Sequence, residues 1–113
     1  MYSDDFIINM MERAVELSKR GRGSVSPNPL VGCVIVKDGK IIGEGYHEKY
    51  GSEHAEKKAI DNCIEDPVDS VAFITLEPCC ITSKTPPCTD LLIDNGIIQV
   101  FVGARADWPF CRI

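Results

Sequence analysis

Apolar residues recur at helical intervals near the start of the chain. Phe6, Met10, Ala14 and Leu17 lie three or four apart, and Ile7 and Met11 widen the stripe, the pattern of a helix that buries one side. Ser3 or an aspartate (Asp4, Asp5) can cap it, and Gly21 and Gly23 end it. Two prolines, Pro27 and Pro29, hold their predecessors extended, so residues 24–29 form a loop that delivers Asn28 to a fixed place. The pattern then changes to runs of apolar residues. Val31 to Val36 and Ile41 to Tyr46 read as two strands, joined across Lys37-Asp38-Gly39-Lys40 by the Asp-Gly pair of a two-residue hairpin. The first strand is apolar almost throughout, as a strand covered on both faces must be. Gly43 and Gly45 in the second mark a bulge or a close backbone approach. A second helix is expected from Ser52 to about Ile64, with Ala55, Ala59, Ile60, Cys63 and Ile64 as its buried face. A third strand covers Ser70 to Leu76. A third helix begins within Thr85 to Asp90, with proline at its start and Gly96 at its end. Ile97 to Val102 is a fourth strand. Hairpin, helix, strand, helix, strand is an α/β order with parallel crossovers, and ligands of such sheets gather at the carboxyl ends of strands.

A chain of 113 residues suffices for one domain with a single core, residues 1–113. Twelve Lys and Arg against seventeen Asp and Glu leave a formal charge of −5. Nucleic-acid binding calls for a basic footprint, so this balance points to a small-molecule partner. No apolar run approaches the roughly 20 residues of a membrane-spanning helix. Six cysteines follow a polar helix with no secretory signal before it, which points to a reducing, cytoplasmic setting where two thiols serve a metal and the rest stay free.

The candidate chemistry lies in Gly51-Ser52-Glu53-His54-Ala55-Glu56, taken with Pro78-Cys79-Cys80 and Pro86-Pro87-Cys88. One His and two Cys can hold Zn2+ and leave a fourth position for water, whose pKa the ion lowers toward neutrality. Glu56, two residues from His54, is not needed as a ligand and can act as acid and base. His-x-Glu followed by Pro-Cys-x-x-Cys is the signature of zinc nucleobase deaminases. Here the two cysteines, Cys79 and Cys88, are nine positions apart. Cys80 competes with Cys79, which is preferred because it follows Pro78. Cys33 reads as core, Cys63 as helix packing and Cys111 as a tail thiol. Taken singly, Asn28 reads as a loop-tying Asx residue, His47 as a surface histidine after a strand, and Lys84 as a solvated charge.

Pro27-Asn28-Pro29-Leu30-Val31-Gly32-Cys33, Gly45-Tyr46-His47, His54-Ala55-Glu56, Thr75-Leu76-Glu77-Pro78-Cys79-Cys80 and Lys84-Thr85-Pro86-Pro87-Cys88-Thr89-Asp90 resemble the pyrimidine deaminases of riboflavin biosynthesis, within the cytidine deaminase-like superfamily. The similarity runs from about residue 9 to residue 103, and the long Cys-to-Cys spacing sets this group apart. The resemblance implies a three-layer α/β/α fold with a mixed sheet, zinc on His54, Cys79 and Cys88, and proton transfer by Glu56. It also implies contacts from Asn28, His47 and Lys84 to a pyrimidine nucleotide substrate. Ile81 stands where the family usually has His, and Ser83 where Gly is common. The sheet is expected to stop after its fourth strand, truncated relative to the family. An edge left open there suggests a homo-oligomer, and a reductase could sit on a separate chain. Two other readings use the same motifs: a cytidine, deoxycytidylate or specialised-metabolite deaminase, and a non-catalytic zinc-bearing binding domain.

Overall fold

A computed structural model of the chain describes residues 2–23, 30–48, 54–76, 89–104 and 110–112. Helix α1 (Asp4–Lys19) leads to strands β1 (Val31–Lys37) and β2 (Lys40–Tyr46). Helix α2 (Ala55–Asp61), strand β3 (Val71–Leu76), helix α3 (Thr89–Asp94) and strands β4 (Gln99–Ala104) and β5 (Phe110–Arg112) follow. The strands form one sheet in the order β2-β1-β3-β4-β5. It is mixed, since β3 and β4 run parallel and the other neighbours antiparallel.

Side-chain alternation along the strands divides the core into two. On one face Val34, Val36, Val71, Phe73 and Phe101 receive Met11, Ala14 and Leu17 of α1. Phe73 stacks on Phe101 with ring centroids 5.2 Å apart, and Phe6 meets its edge at 6.5 Å. On the other face Cys33, Ile35, Ile42, Ala72 and Ile74 lie under Ala55 and Ala59 of α2 and Leu92 of α3. This is the expected α/β/α sandwich, and β1 is covered on both faces because α1 packs on one and α2 on the other.

Local chemistry sets the ends of the elements. The Phe6 amide donates to Ser3 Oγ at 3.1 Å to cap α1. Asp38 and Gly39, at φ 53° and 79°, turn β1 into β2 with Lys37 opposite Lys40, the two left-handed residues of a type I′ hairpin. A register shift between Ile35 and Val36 places the expected bulge in β2 before Gly43. At the end of α3, Gly96 takes φ 79° and the Ile97 amide donates to the Leu92 carbonyl at 3.1 Å. Leu92 and Ile97 then share the core, as a Schellman end brings them together.

Three expectations change. α2 ends at Asp61 rather than near Ile64, and Ile64 is 77% exposed. The helix stops there, and the Ile64 amide donates instead to the Ile42 carbonyl at 2.9 Å, which breaks the helical spacing that would have buried its side chain. Ser52, expected to cap it, lies outside the described residues, and His54 occupies the N-cap. β4 starts two residues later than expected, because Ile97 belongs to the end of α3. Beyond the fourth strand the sheet has β5, which pairs Gly103 with Phe110 and Phe101 with Arg112. The edge of β4 is therefore paired, and the outer strands are β2 and β5. Among the described residues no helix is long and apolar enough to cross a membrane.

Arg13 on α1 ties the helix to the edge of the sheet. Its Nε donates to Glu44 Oε2 at 2.6 Å and its Nη2 to Glu44 Oε1 at 3.0 Å, and it also pairs with Glu16. The hydrogen bonds from Arg13 hold the Glu44 carboxyl below its ordinary value of 4.5. Stability from a depressed carboxyl is present above the unfolded pKa and disappears as pH falls through the folded one. Glu44→Gln is therefore expected to cost up to about 1 kcal/mol at neutral pH, the upper range for a partly exposed pair. The difference from wild type should shrink below pH 4.5. Urea melts of both proteins from pH 7 to pH 3 check this, and a constant difference across the series would contradict it.

Candidate active site

β2 ends at Tyr46, but its ladder carries on by one bond: the His47 amide donates to the Val31 carbonyl at 3.0 Å. That bond fixes His47 at the end of the sheet where Val31 pairs with Leu76, the carboxyl end of β3. His47 is 4% exposed. Its ring meets that of His54 nearly at right angles (87°), with centroids 6.0 Å apart.

His54 is the N-cap of α2, extended at φ −69° and ψ 159°, and its carbonyl accepts from the Lys58 amide at 3.1 Å. Its imidazole makes no capping bond and is exposed. Glu56 stands two residues later, in the first turn, and is 3% exposed. Carboxylates are seldom buried to this degree unless they have a task or a partner, and the amino end of a helix favours the charged form. The fold thus supplies an exposed imidazole and, two residues on in the same turn, a buried carboxylate, with a second imidazole against the first. A nitrogen ligand and a nearby proton carrier that is not itself a ligand suit a hydrolytic zinc ion.

His47, His54 and Glu56 therefore lie towards one end of the sheet. Asn28, Cys79, Cys80, Ile81, Lys84 and Cys88 lie outside the described residues, so two of the three proposed metal ligands do too. Among the described residues no three His, Cys, Asp or Glu side chains form a metal-binding group. Cys33 is buried in the core as expected. Cys63 donates its thiol to the Ala59 carbonyl at 3.4 Å, and burial raises its pKa.

The sequence singled out Gly43 and Gly45 without indicating what approaches them; it is α2, whose backbone lies directly on β2 at both glycines. Lys58 and Glu48 also went unnoticed. They pair at 3.3 Å between α2 and the residue after His47, and no sequence spacing announces such a contact.

Residues 5–104 match a family model described as the cytidine and deoxycytidylate deaminase zinc-binding region. The chain is 56% identical over 102 residues to the riboflavin biosynthesis protein RibD of Actinobacillus pleuropneumoniae, covering 90% of this chain and 27% of that protein. It is 52% identical over 94 residues to the diaminohydroxyphosphoribosylamino-pyrimidine deaminase of Buchnera aphidicola, covering 83% and 64%. Among solved structures, a diaminohydroxyphosphoribosylaminopyrimidine deaminase/5-amino-6-(5-phosphoribosylamino)uracil reductase from Thermotoga maritima superposes with a TM-score of 0.77 at 47% identity, covering 91% of this chain and 31% of that one. A dCMP deaminase of cyanophage S-TIM5 superposes with a TM-score of 0.70 at 19% identity, covering 94% and 88%, a likeness of fold. The chain thus spans between about a quarter and two thirds of the length of the curated relatives named here.

Proposed function

The chain belongs to the cytidine and deoxycytidylate deaminase zinc-binding family, and from that premise we propose that it catalyses zinc-dependent hydrolytic deamination of an aminopyrimidine ribonucleotide in riboflavin biosynthesis, with release of ammonia. The observation that carries the reading is the buried Glu56 carboxylate two residues after the exposed His54, at the sheet end where β3 stops. The 52–56% identity to riboflavin-pathway relatives favours that pyrimidine over cytidine.

His54, Cys79 and Cys88 would hold the ion. β3 ends three residues before Cys79 and α3 begins directly after Cys88, so the flanking elements start and stop where such a site needs them. Zinc supplies the Lewis acidity that brings water's pKa toward neutrality. Glu56 would take one proton from the attacking water and pass it to the ring nitrogen next to the amino-bearing carbon as the oxygen bonds to that carbon. It would then take the remaining hydroxyl proton and give it to the amino group, whose bond to carbon breaks as ammonia leaves and the ring carbonyl forms. The burial of Glu56 keeps bulk water from competing for these protons. His47, Asn28 and Lys84 are proposed to orient the pyrimidine and its ribose phosphate, with His47 facing the site beside His54. The working protein is proposed to be a cytoplasmic homo-oligomer, and its product the substrate of a reductase step, since the Thermotoga maritima relative is named for both activities.

The test is ammonia release from zinc-assayed protein offered diaminohydroxyphosphoribosylaminopyrimidine, cytidine and dCMP. Turnover of the first alone is expected. Turnover of only cytidine or dCMP would reassign the substrate. Stoichiometric zinc with no ammonia from any of the three would leave a zinc-bearing binding domain.

A further inference from the structure

At Gly43 and Gly45 helix α2 rests on the outer strand with no strand side chain between the two backbones. A methyl group at Gly45 would stand 2.5 Å from the Ala59 amide nitrogen and 2.7 Å from both the Ala55 carbonyl oxygen and Lys58 Cβ. One at Gly43 would stand 2.4 Å from the Ala59 carbonyl oxygen and 2.7 Å from Cys63 Sγ. Carbon packs against such atoms at about 3.5–4.0 Å, so either methyl would have to lift the helix by on the order of 1 Å. Both lifts act on Ala59, in the middle of the helix, but the rest of their contacts differ. Gly45 also faces Ala55 and Lys58 of the first turn, whereas Gly43 also faces Cys63, just past the last turn.

That first turn carries His54 and Glu56, and the His54 ring meets His47. His47 belongs to the sheet, held by its amide bond to Val31. The separation between the helix-borne pair and the strand-borne histidine is therefore the height at which the turn sits on β2. Lys58 spans the same gap, with its Cβ over Gly45 and its Nζ 3.3 Å from Glu48 Oε1, and so draws the turn down onto the strand.

We propose that Gly45 is a positioning residue of this site: the side chain it lacks sets the height of the first turn of α2 over β2, and so the placement of His54 and Glu56 relative to His47. The effect on turnover rests on the proposed deamination, but the geometry does not. Gly43 supplies an internal control, because its added methyl meets an equally close backbone atom of Ala59 but neither Ala55 nor Lys58 of the first turn.

The chain contains two histidines, so their ring signals in the NMR spectrum of the full chain report directly on the His47–His54 contact. Gly45→Ala is expected to shift both ring signals in the metal-free protein and to weaken zinc binding by roughly 10- to 100-fold in a chelator competition, as loss of support behind a metal ligand does. It should also lower kcat by about 100-fold with a smaller change in KM, the size of effect that a 1 Å misplacement brings. Gly43→Ala is expected to lower thermal stability to a similar extent and leave the ring signals, zinc affinity and kcat close to wild type. Lys58→Ala inserts nothing between the backbones, and is expected to shift the ring signals in the same sense by less. Unchanged ring signals in Gly45→Ala, or equal shifts in Gly43→Ala, would overturn the proposal. If Gly45→Ala does not fold, unchanged ring signals in Lys58→Ala overturn it. A wild type that binds zinc but releases no ammonia would sink the reaction and leave the ring and zinc comparisons to decide the role of Gly45.

Discussion

Glu56→Gln is expected to give a folded protein that keeps its zinc and releases ammonia roughly 10²–10⁴-fold more slowly, the usual contribution of one positioned proton carrier. Gln has the shape of Glu and no charge, and the side chain is 3% exposed. Because the volume is conserved and one carbonyl acceptor is kept, the substitution should not threaten the fold. It does remove the group proposed to accept a proton from water and return it to nitrogen, and His54 beside it is proposed as a metal ligand rather than a proton carrier. The measurement pairs turnover with metal content and a thermal melt. Turnover within a few fold of wild type would take Glu56 out of the mechanism.

The second large effect is on the metal. His54→Ala is expected to abolish zinc retention and drop ammonia release at least as far as Glu56→Gln does, while the metal-free proteins melt within a few degrees of each other. His54 is exposed and makes no capping bond to α2, and its ring contact is with His47, so truncating it is expected to cost the metal-free fold about 1 kcal/mol or less. Zinc at 1,000 times its Kd would stabilise the native wild type by about 4 kcal/mol. The wild type should therefore lose melting temperature on chelation and the variant should not respond. Cys88→Ser is expected to behave like His54→Ala. A His54→Ala protein with full zinc and an unchanged response to chelator would break the proposed ligand set.

The parts of the fold that rest on local chemistry were legible in the sequence. Asp38 and Gly39 define the hairpin because only a left-handed pair closes two strands in two residues. Gly96 marks the end of α3 for the same conformational reason. The apolar run from Val31 announced a strand inside the sheet, and Cys33 was placed in the core. What escaped was set by tertiary contact. β5 is three residues long and has no period to detect; it exists because β4 offers an unpaired edge. The end of α2 was misplaced because Ile64 continued the helical spacing, whereas its amide is taken by the Ile42 carbonyl on β2. At the site, His54 and Glu56 could be read from their spacing, since a helix start is local. His47 follows the hairpin directly, and its ladder bond to Val31 fixes it at that end of the sheet. Asn28, Lys84, Cys79 and Cys88 remain assignments that rest on motif.

The interior position of β1 bears on how the chain is made. During synthesis β1 can zip to β2 across its two-residue turn within about 1–10 μs, but its other neighbour, β3, comes later in the chain. At about 5–20 residues per second the ribosome takes several seconds to deliver the roughly forty residues that carry the chain from the end of β1 through β3. For that interval Cys33-Val34-Ile35-Val36, wholly apolar, presents an unsatisfied row of amides and carbonyls. This is the portion of the nascent polypeptide most exposed to intermolecular association.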